Sequence, residues 1–127
     1  MNISNIVAEF ALELKNILGN NLESIILYGS YARGDYHFTS DVDVMVLVTL
    51  SDEEIKKIEN QVYDCAFDLE MKYSVDISPI IKNRKHFEYW VDTLPFYNNI
   101  QKEGITVAWQ IKKKALQYIA LRRQKKH

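Results

Sequence analysis

The chain has 127 residues, 47% of them apolar, and its 16 basic and 17 acidic side chains leave a net charge of −1. That suffices for one hydrophobic core and a single domain over residues 1–127, and gives no general case for a nucleic-acid or membrane binder. A lone cysteine, Cys65, excludes an internal disulfide framework; without a signal-type N-terminus or a membrane-length apolar run, a cytoplasmic protein is expected.

In chain order, residues 3–18 read as an amphipathic helix, because Ile6, Val7, Phe10, Ala11, Leu14, Ile17 and Leu18 recur at helical spacing. Asn2 or Ser4 can cap it, and Gly19 is a natural stop. A first strand, about residues 24–28, runs into Gly29-Ser30. Glycine lets an anion approach the backbone, and Ser30, Tyr31, Ala32 and Arg33 can form one helical turn whose free N–H groups face a phosphate. Gly34 would close that turn. A Gly-Ser pair by itself is also an ordinary turn.

Ten residues intervene after Ser30, and then Asp41-Val42-Asp43 opens a second apolar run. On a strand Asp41 and Asp43 project from the same face, about 7 Å apart. Two such carboxylates repel at the edge of an apolar sheet unless they share a cation. Hard oxygen ligands with no Cys or His constellation point to magnesium. By itself an Asp-x-Asp is a solvated strand end; together with Gly29-Ser30 at this spacing it is the arrangement that nucleotide transfer needs. Val42, Val44, Val46 and Val48 on one face and Met45 and Leu47 on the other predict an interior strand covered on both sides.

Ser51 and Glu54 form a capping box, and Ile55, Ile58, Val62, Ala66 and Leu69 are the buried stripe of a helix reaching about Glu70, with Cys65 beside it as a small core residue. Residues 73–79 read as a third strand in which Asp76 points away from Val75 and Ile77. On pattern alone Asp76 is a strand-end acid. Residues 82–90 read as turn and short helix, Pro95, Phe96, Tyr97 and Ile100 as another helix, and residues 105–109 as a strand after Gly104. Phe87, Tyr89, Trp90, Phe96, Tyr97 and Trp109 are read as core or partner contacts rather than adenine-stacking rings. Residues 110–123 read as a last helix, and seven of the 16 Lys and Arg residues fall within residues 110–127. That cluster is either a solvated face or a dock for an acidic partner or RNA. His37 and His86 lie outside any ligand spacing and read as surface residues.

Gly29-Ser30, Ala32, Gly34, Ser40-Asp41 and Asp43 resemble the signature of the DNA polymerase beta-type nucleotidyltransferase superfamily, in its small single-domain branch, the minimal nucleotidyltransferases (MNT). Members of that branch commonly pair with a HEPN-domain protein as the antitoxin of a toxin-antitoxin module. The resemblance implies an α/β (α+β) nucleotidyltransferase fold, a small mixed sheet of about four strands flanked by helices. It also implies a third carboxylate on the strand after the intervening helix, where Asp76 is the only acid.

On that resemblance Asp41, Asp43 and Asp76 are the catalytic and metal-binding residues, sharing two magnesium ions. ATP would set its β and γ phosphates against Gly29 and Ser30, with Arg33 either assisting or making a surface ion pair. AMP would pass to a tyrosine of a HEPN-type RNase toxin, with no membrane and no direct nucleic-acid contact involved. The alternatives are adenylylation of a small hydroxylated molecule such as an aminoglycoside, and a non-catalytic antitoxin that acts by binding.

Overall fold

The run Val42–Val48 is an interior strand, and its two faces define two cores. A computed structural model describes residues 3–37 and 39–106. Its elements are α1 (Ile3–Leu18), β1 (Leu22–Tyr28), α2 (Ser30–Arg33), β2 (Val42–Val48), α3 (Asp52–Tyr73), β3 (Ile77–Asn83), α4 (Arg84–Trp90), α5 (Pro95–Glu103) and β4 (Ile105–Thr106), with a short 3-10 turn at Gly19–Asn21. The expected last helix, its basic cluster and Trp109 lie outside the described residues, as does the remainder of the expected fourth strand.

The sheet order is β3-β2-β1-β4. β2 pairs antiparallel with β1 and parallel with β3, and β1 pairs antiparallel with β4. The expected mixed four-stranded sheet flanked by helices is therefore present. Val42, Val44, Val46 and Val48 pack with Ile25 and Leu27 against α1, through Phe10 and Leu14, and against α3, through Ile55, Val62, Ala66 and Leu69. Met45 and Leu47 turn to the other side, where Ile26, Phe87, Val91, Tyr97 and Ile100 complete a smaller core under α4 and α5. Removing these side chains from water is the main stabilising term, at about 1.5–3 kcal/mol for each large aliphatic residue.

Several boundaries differ from expectation. β1 starts at Leu22, and β2 at Val42, which leaves Asp41 just ahead of the strand. α3 begins at the expected capping box, where Glu54 N–H donates to Ser51 Oγ (3.3 Å) and Ser51 N–H to Glu54 Oε1 (3.1 Å). It continues past Glu70 to Tyr73, because no Gly or Pro interrupts it and Lys72 near its end pairs with Glu9 of α1 at 2.6 Å. Ser74 then ends it in a left-handed conformation, φ 55°. The third strand is displaced accordingly: it begins at Ile77 rather than 73, and it runs through Pro79 to Asn83. Pro79 is tolerated because β3 is the edge of the sheet among the described residues. Lys82 consequently belongs to this strand, and Asn83 caps α4 by accepting from His86 N–H at 3.0 Å.

The rings divide. Phe87 and Tyr97 are buried against each other, centroids 4.9 Å apart, whereas Tyr89, Trp90 and Phe96 are exposed. Only part of the expected aromatic layer is therefore core, one ring from α4 and one from α5. Along α3, Tyr63, Phe67 and Met71 recur every fourth residue on its exposed side.

Candidate active site

β1 delivers the chain to Gly29, whose backbone lies at φ 74°, ψ −153°, a region open almost only to glycine. Tyr28 stands opposite Asp43 in the β1–β2 register, so Gly29 faces the acid directly. A Cβ at this position would run into the Asp43 carboxylate and lie 3.2 Å from its Cγ. The missing side chain is what makes room for the acid.

α2 is the expected single turn. Gly29 C=O accepts from the N–H groups of Ala32 and Arg33, both at 3.1 Å, and Gly34 N–H donates to Ser30 C=O at 2.9 Å. Gly34 ends the turn at φ 86°. Ser30 and Tyr31, at the start of the turn, are the positions whose N–H groups have no carbonyl within it, so they are oriented for an anion.

Asp41 is exposed at the mouth of β2, and Asp43 is half-buried one pleat further in. Burial first, and then the charge of Asp41, push the Asp43 carboxyl above the ordinary carboxylate range, while Arg33 acts in the opposite direction. The Tyr28 hydroxyl is pushed up to about 12, by burial and then by Asp43, so it stays neutral at physiological pH. A half-buried carboxylate beside a second acid is relieved by a cation. Two carboxylates with Ser30 and Ser40 hydroxyls in the same cleft form an all-oxygen donor set of the kind magnesium prefers. These residues fit one such ion.

The cleft has a volume of about 540 Å³. Of the residues expected from sequence, Gly29, Ser30, Arg33, Asp41 and Asp43 line it together. Asp76 does not: its side chain is exposed, one residue ahead of β3, and among the described residues no group of three His, Cys, Asp or Glu side chains is arranged to hold a metal. Its backbone is nevertheless tied to the mouth of β2, where Val42 N–H donates to Asp76 C=O at 2.7 Å. The residue that stands beside Asp43 in the β2–β3 register is Ser78.

Arg33 makes the ion pairs that were one of the two alternatives expected of it, from a position in the cleft wall. It lines the cleft, and its guanidinium holds Asp35 (3.1 Å) and Glu103 (3.3 Å), the hydrogen bond to Asp35 contributing most to raising its pKa. Sequence reasoning missed the opposite wall. Phe96, Asn99, Ile100 and Glu103, at helical spacing on one face of α5, line the cleft. The spacing was visible, but nothing local says which neighbour an exposed helix face meets. His37, expected on the surface, is exposed and also reaches the cleft, with Nδ1 2.6 Å from Thr39 Oγ1. Cys65 is half-buried as expected of a packing residue, and burial followed by the acids Glu13, Asp68 and Glu9 pushes its thiol up to about 12, which leaves it unreactive.

Residues 7–118 match the family model described as a nucleotidyltransferase domain. Two similar proteins of Methanocaldococcus jannaschii carry the name "Putative protein adenylyltransferase". One is 37% identical over 97 residues, covering 76% of this chain and 96% of that protein. The other is 32% identical over 104 residues, covering 82% and 96%. Among solved structures, a toxin-antitoxin crystal structure with AMP-PNP is similar at 18% identity and a TM-score of 0.49, over 95% of this chain and 87% of that one. A mutant of the MntA-HpeT toxin-antitoxin is similar at 17% identity and a TM-score of 0.49, over 98% and 89%. Among the described residues no helix is long and apolar enough to cross a membrane.

Proposed function

The chain belongs to the nucleotidyltransferase domain family, and from that premise we propose that it transfers AMP from ATP to a hydroxyl of a partner protein. The observation that carries this reading is the approach of Gly29 to Asp43, which puts the glycine-led turn and the two carboxylates, the inner one half-buried, in one cleft. The relatives named as protein adenylyltransferases, matched over 96% of their own lengths, support a protein as acceptor. The acceptor we propose is a tyrosine of a HEPN-type RNase toxin, on the resemblance carried by residues 29–43. AMP added there brings charge and bulk beside the toxin's own site and silences it, which makes this chain the antitoxin of a cytoplasmic pair.

In this mechanism the N–H groups opening α2 and the Ser30 hydroxyl bind the β and γ phosphates. Arg33 exchanges a carboxylate partner for phosphate, a bidentate ligand its guanidinium suits equally well. Asp41 and Asp43 would hold magnesium, with Asp76, whose backbone carbonyl is tied to the mouth of β2, proposed as the third carboxylate for a second ion. When bound, the metal neutralises charge on the triphosphate and lowers the pKa of the attacking hydroxyl. The acceptor oxygen bonds to the α phosphorus, the bond from that phosphorus to the bridging oxygen breaks, pyrophosphate leaves and the hydroxyl proton is released. The chain contributes no covalent nucleophile. Its part is positioning and electrostatic stabilisation.

The test is to incubate the purified protein with magnesium and α-phosphate-labelled ATP in a lysate of its host. Label on one discrete protein, absent with Asp41→Asn, supports the proposal and identifies the acceptor. Label confined to small molecules would replace it with an aminoglycoside-type activity, and no label with an antitoxin that acts by occupancy. In the last case Asp43→Asn would still protect cells from the partner.

A further inference from the structure

We propose that Phe96 and Asn99 form the nucleoside subsite of the cleft, Phe96 stacking on the base and Asn99 bonding the sugar hydroxyls. The proposal rests on the reading that ATP binds in this cleft. It adds a direction to the bound nucleotide and two residues that hold it.

Phe96, Asn99 and Glu103 are spaced along one face of α5 that spans about 10 Å of helix. Both ends of that face are fixed against the opposite wall. Glu103 meets Arg33 at 3.3 Å, at the end of α2. Phe96 meets Tyr28, ring centroids 5.8 Å apart, and Tyr28 stands across the sheet from Asp43. Moving along α5 from Glu103 to Phe96 therefore runs from the phosphate-binding turn toward the carboxylates. A nucleotide with its terminal phosphates at Ser30 and Arg33 therefore meets Asn99 and then Phe96 along the same wall, in the order of its sugar and base.

The chemistry of the two side chains fits those positions. Phe96 keeps 47% of its surface exposed, and the core beneath α5 is already filled by Phe87, Tyr97 and Ile100. Its ring contacts Tyr28 at a near-perpendicular 82°, an arrangement that fixes the ring while part of its surface stays open to the cleft. Aromatic rings held this way bind bases by stacking, a contact tolerant of base identity because every base offers a π face. Asn99 is exposed beside it, with two donors and an acceptor for sugar hydroxyls.

The experiment is equilibrium dialysis of the full chain with magnesium, using ATP, inorganic tripolyphosphate and 2′,3′-dideoxy-ATP as probes. Phe96→Ala is expected to weaken ATP about tenfold and leave tripolyphosphate unchanged, while Phe96→Trp restores ATP binding. Asn99→Ala is expected to weaken ATP severalfold and leave dideoxy-ATP unaffected. Far-UV circular dichroism confirms that the variants fold, as expected for exposed positions. If Phe96→Ala weakens both ATP and tripolyphosphate, or neither, the subsite is refuted while ATP binding in the cleft stands. If the unmodified protein binds neither probe, the nucleotide reading itself fails and takes the subsite with it.

Discussion

Replacing Gly29 with alanine tests the coupling between the phosphate turn and the carboxylates. At φ 74°, ψ −153° an alanine is strained by about 1–3 kcal/mol. In a chain of 127 residues that corresponds to a fall in melting temperature of roughly 3–15 °C. The added Cβ also meets the Asp43 carboxylate, with Cγ at 3.2 Å and Cβ at 3.4 Å. A side-chain end gives way more easily than backbone, so the displacement falls on Asp43, the acid proposed to hold the metal. A shift of about 1 Å in such a group lowers the rate by about 100-fold. Gly19→Ala is the control, since Gly19 also has positive φ, 56°, but nothing lies within 4 Å of a Cβ there. Gly19→Ala should lose about 1 kcal/mol and keep full activity per folded molecule. The assays are urea unfolding and magnesium-dependent pyrophosphate release, normalised to the folded fraction. Gly29→Ala with a rate within severalfold of the unmodified protein, or Gly19→Ala losing as much activity as Gly29→Ala, would refute the reasoning.

Asp43→Asn is expected to raise the melting temperature in the absence of divalent ions at pH 7. The folded state holds the Asp43 carboxyl above the ordinary range, so it keeps a proton where the unfolded chain has lost it, and stability falls as pH rises through that window and remains lower above it. The advantage of the variant should therefore shrink as the pH approaches about 4, the ordinary carboxylate value, and an equal advantage at both pH values would sink the assignment. Magnesium at ten times its dissociation constant should stabilise the unmodified protein by about 1.4 kcal/mol and leave Asp43→Asn unaffected, as read by calorimetry. Ser51→Ala should lose about 1 kcal/mol in urea unfolding through loss of the α3 cap, with the KM for ATP unchanged, because α3 starts at the end of β2 remote from the cleft.

What the sequence made legible is what short-range geometry decides. The alternation from Val42 to Val48 separates the two cores because a strand has period two. Ser51 and Glu54 cap α3 because their spacing matches two unpaired N–H groups. Gly29 and Gly34 bracket α2 because both take positive φ. Phe96, Asn99 and Glu103 were illegible as a cleft wall for the opposite reason: helical spacing shows that they share a face, but only packing of α5 on β1 decides what that face meets.

Asp76 shows the two kinds of information acting on one residue. Its identity as the acid after α3 could be read directly, but its place in the sheet depends on where α3 stops. A helix ending near Glu70 would put Asp76 within the strand. The helix instead runs to Tyr73 and turns at Ser74, a residue with no strong preference for the left-handed conformation it adopts, and β3 begins only at Ile77. The parallel register then puts Ile77 beside Val42 and Ser78 beside Asp43. Asp76 falls one step beyond the ladder, level with Asp41, where its backbone carbonyl accepts from Val42 N–H of β2. A difference of three residues in one helix end thus decides whether the third acid stands inside the sheet or at its rim. A carboxylate at the rim, exposed and outside the cleft lining, is one that the proposed metal–nucleotide complex would have to recruit, not one held beside Asp43 in its absence.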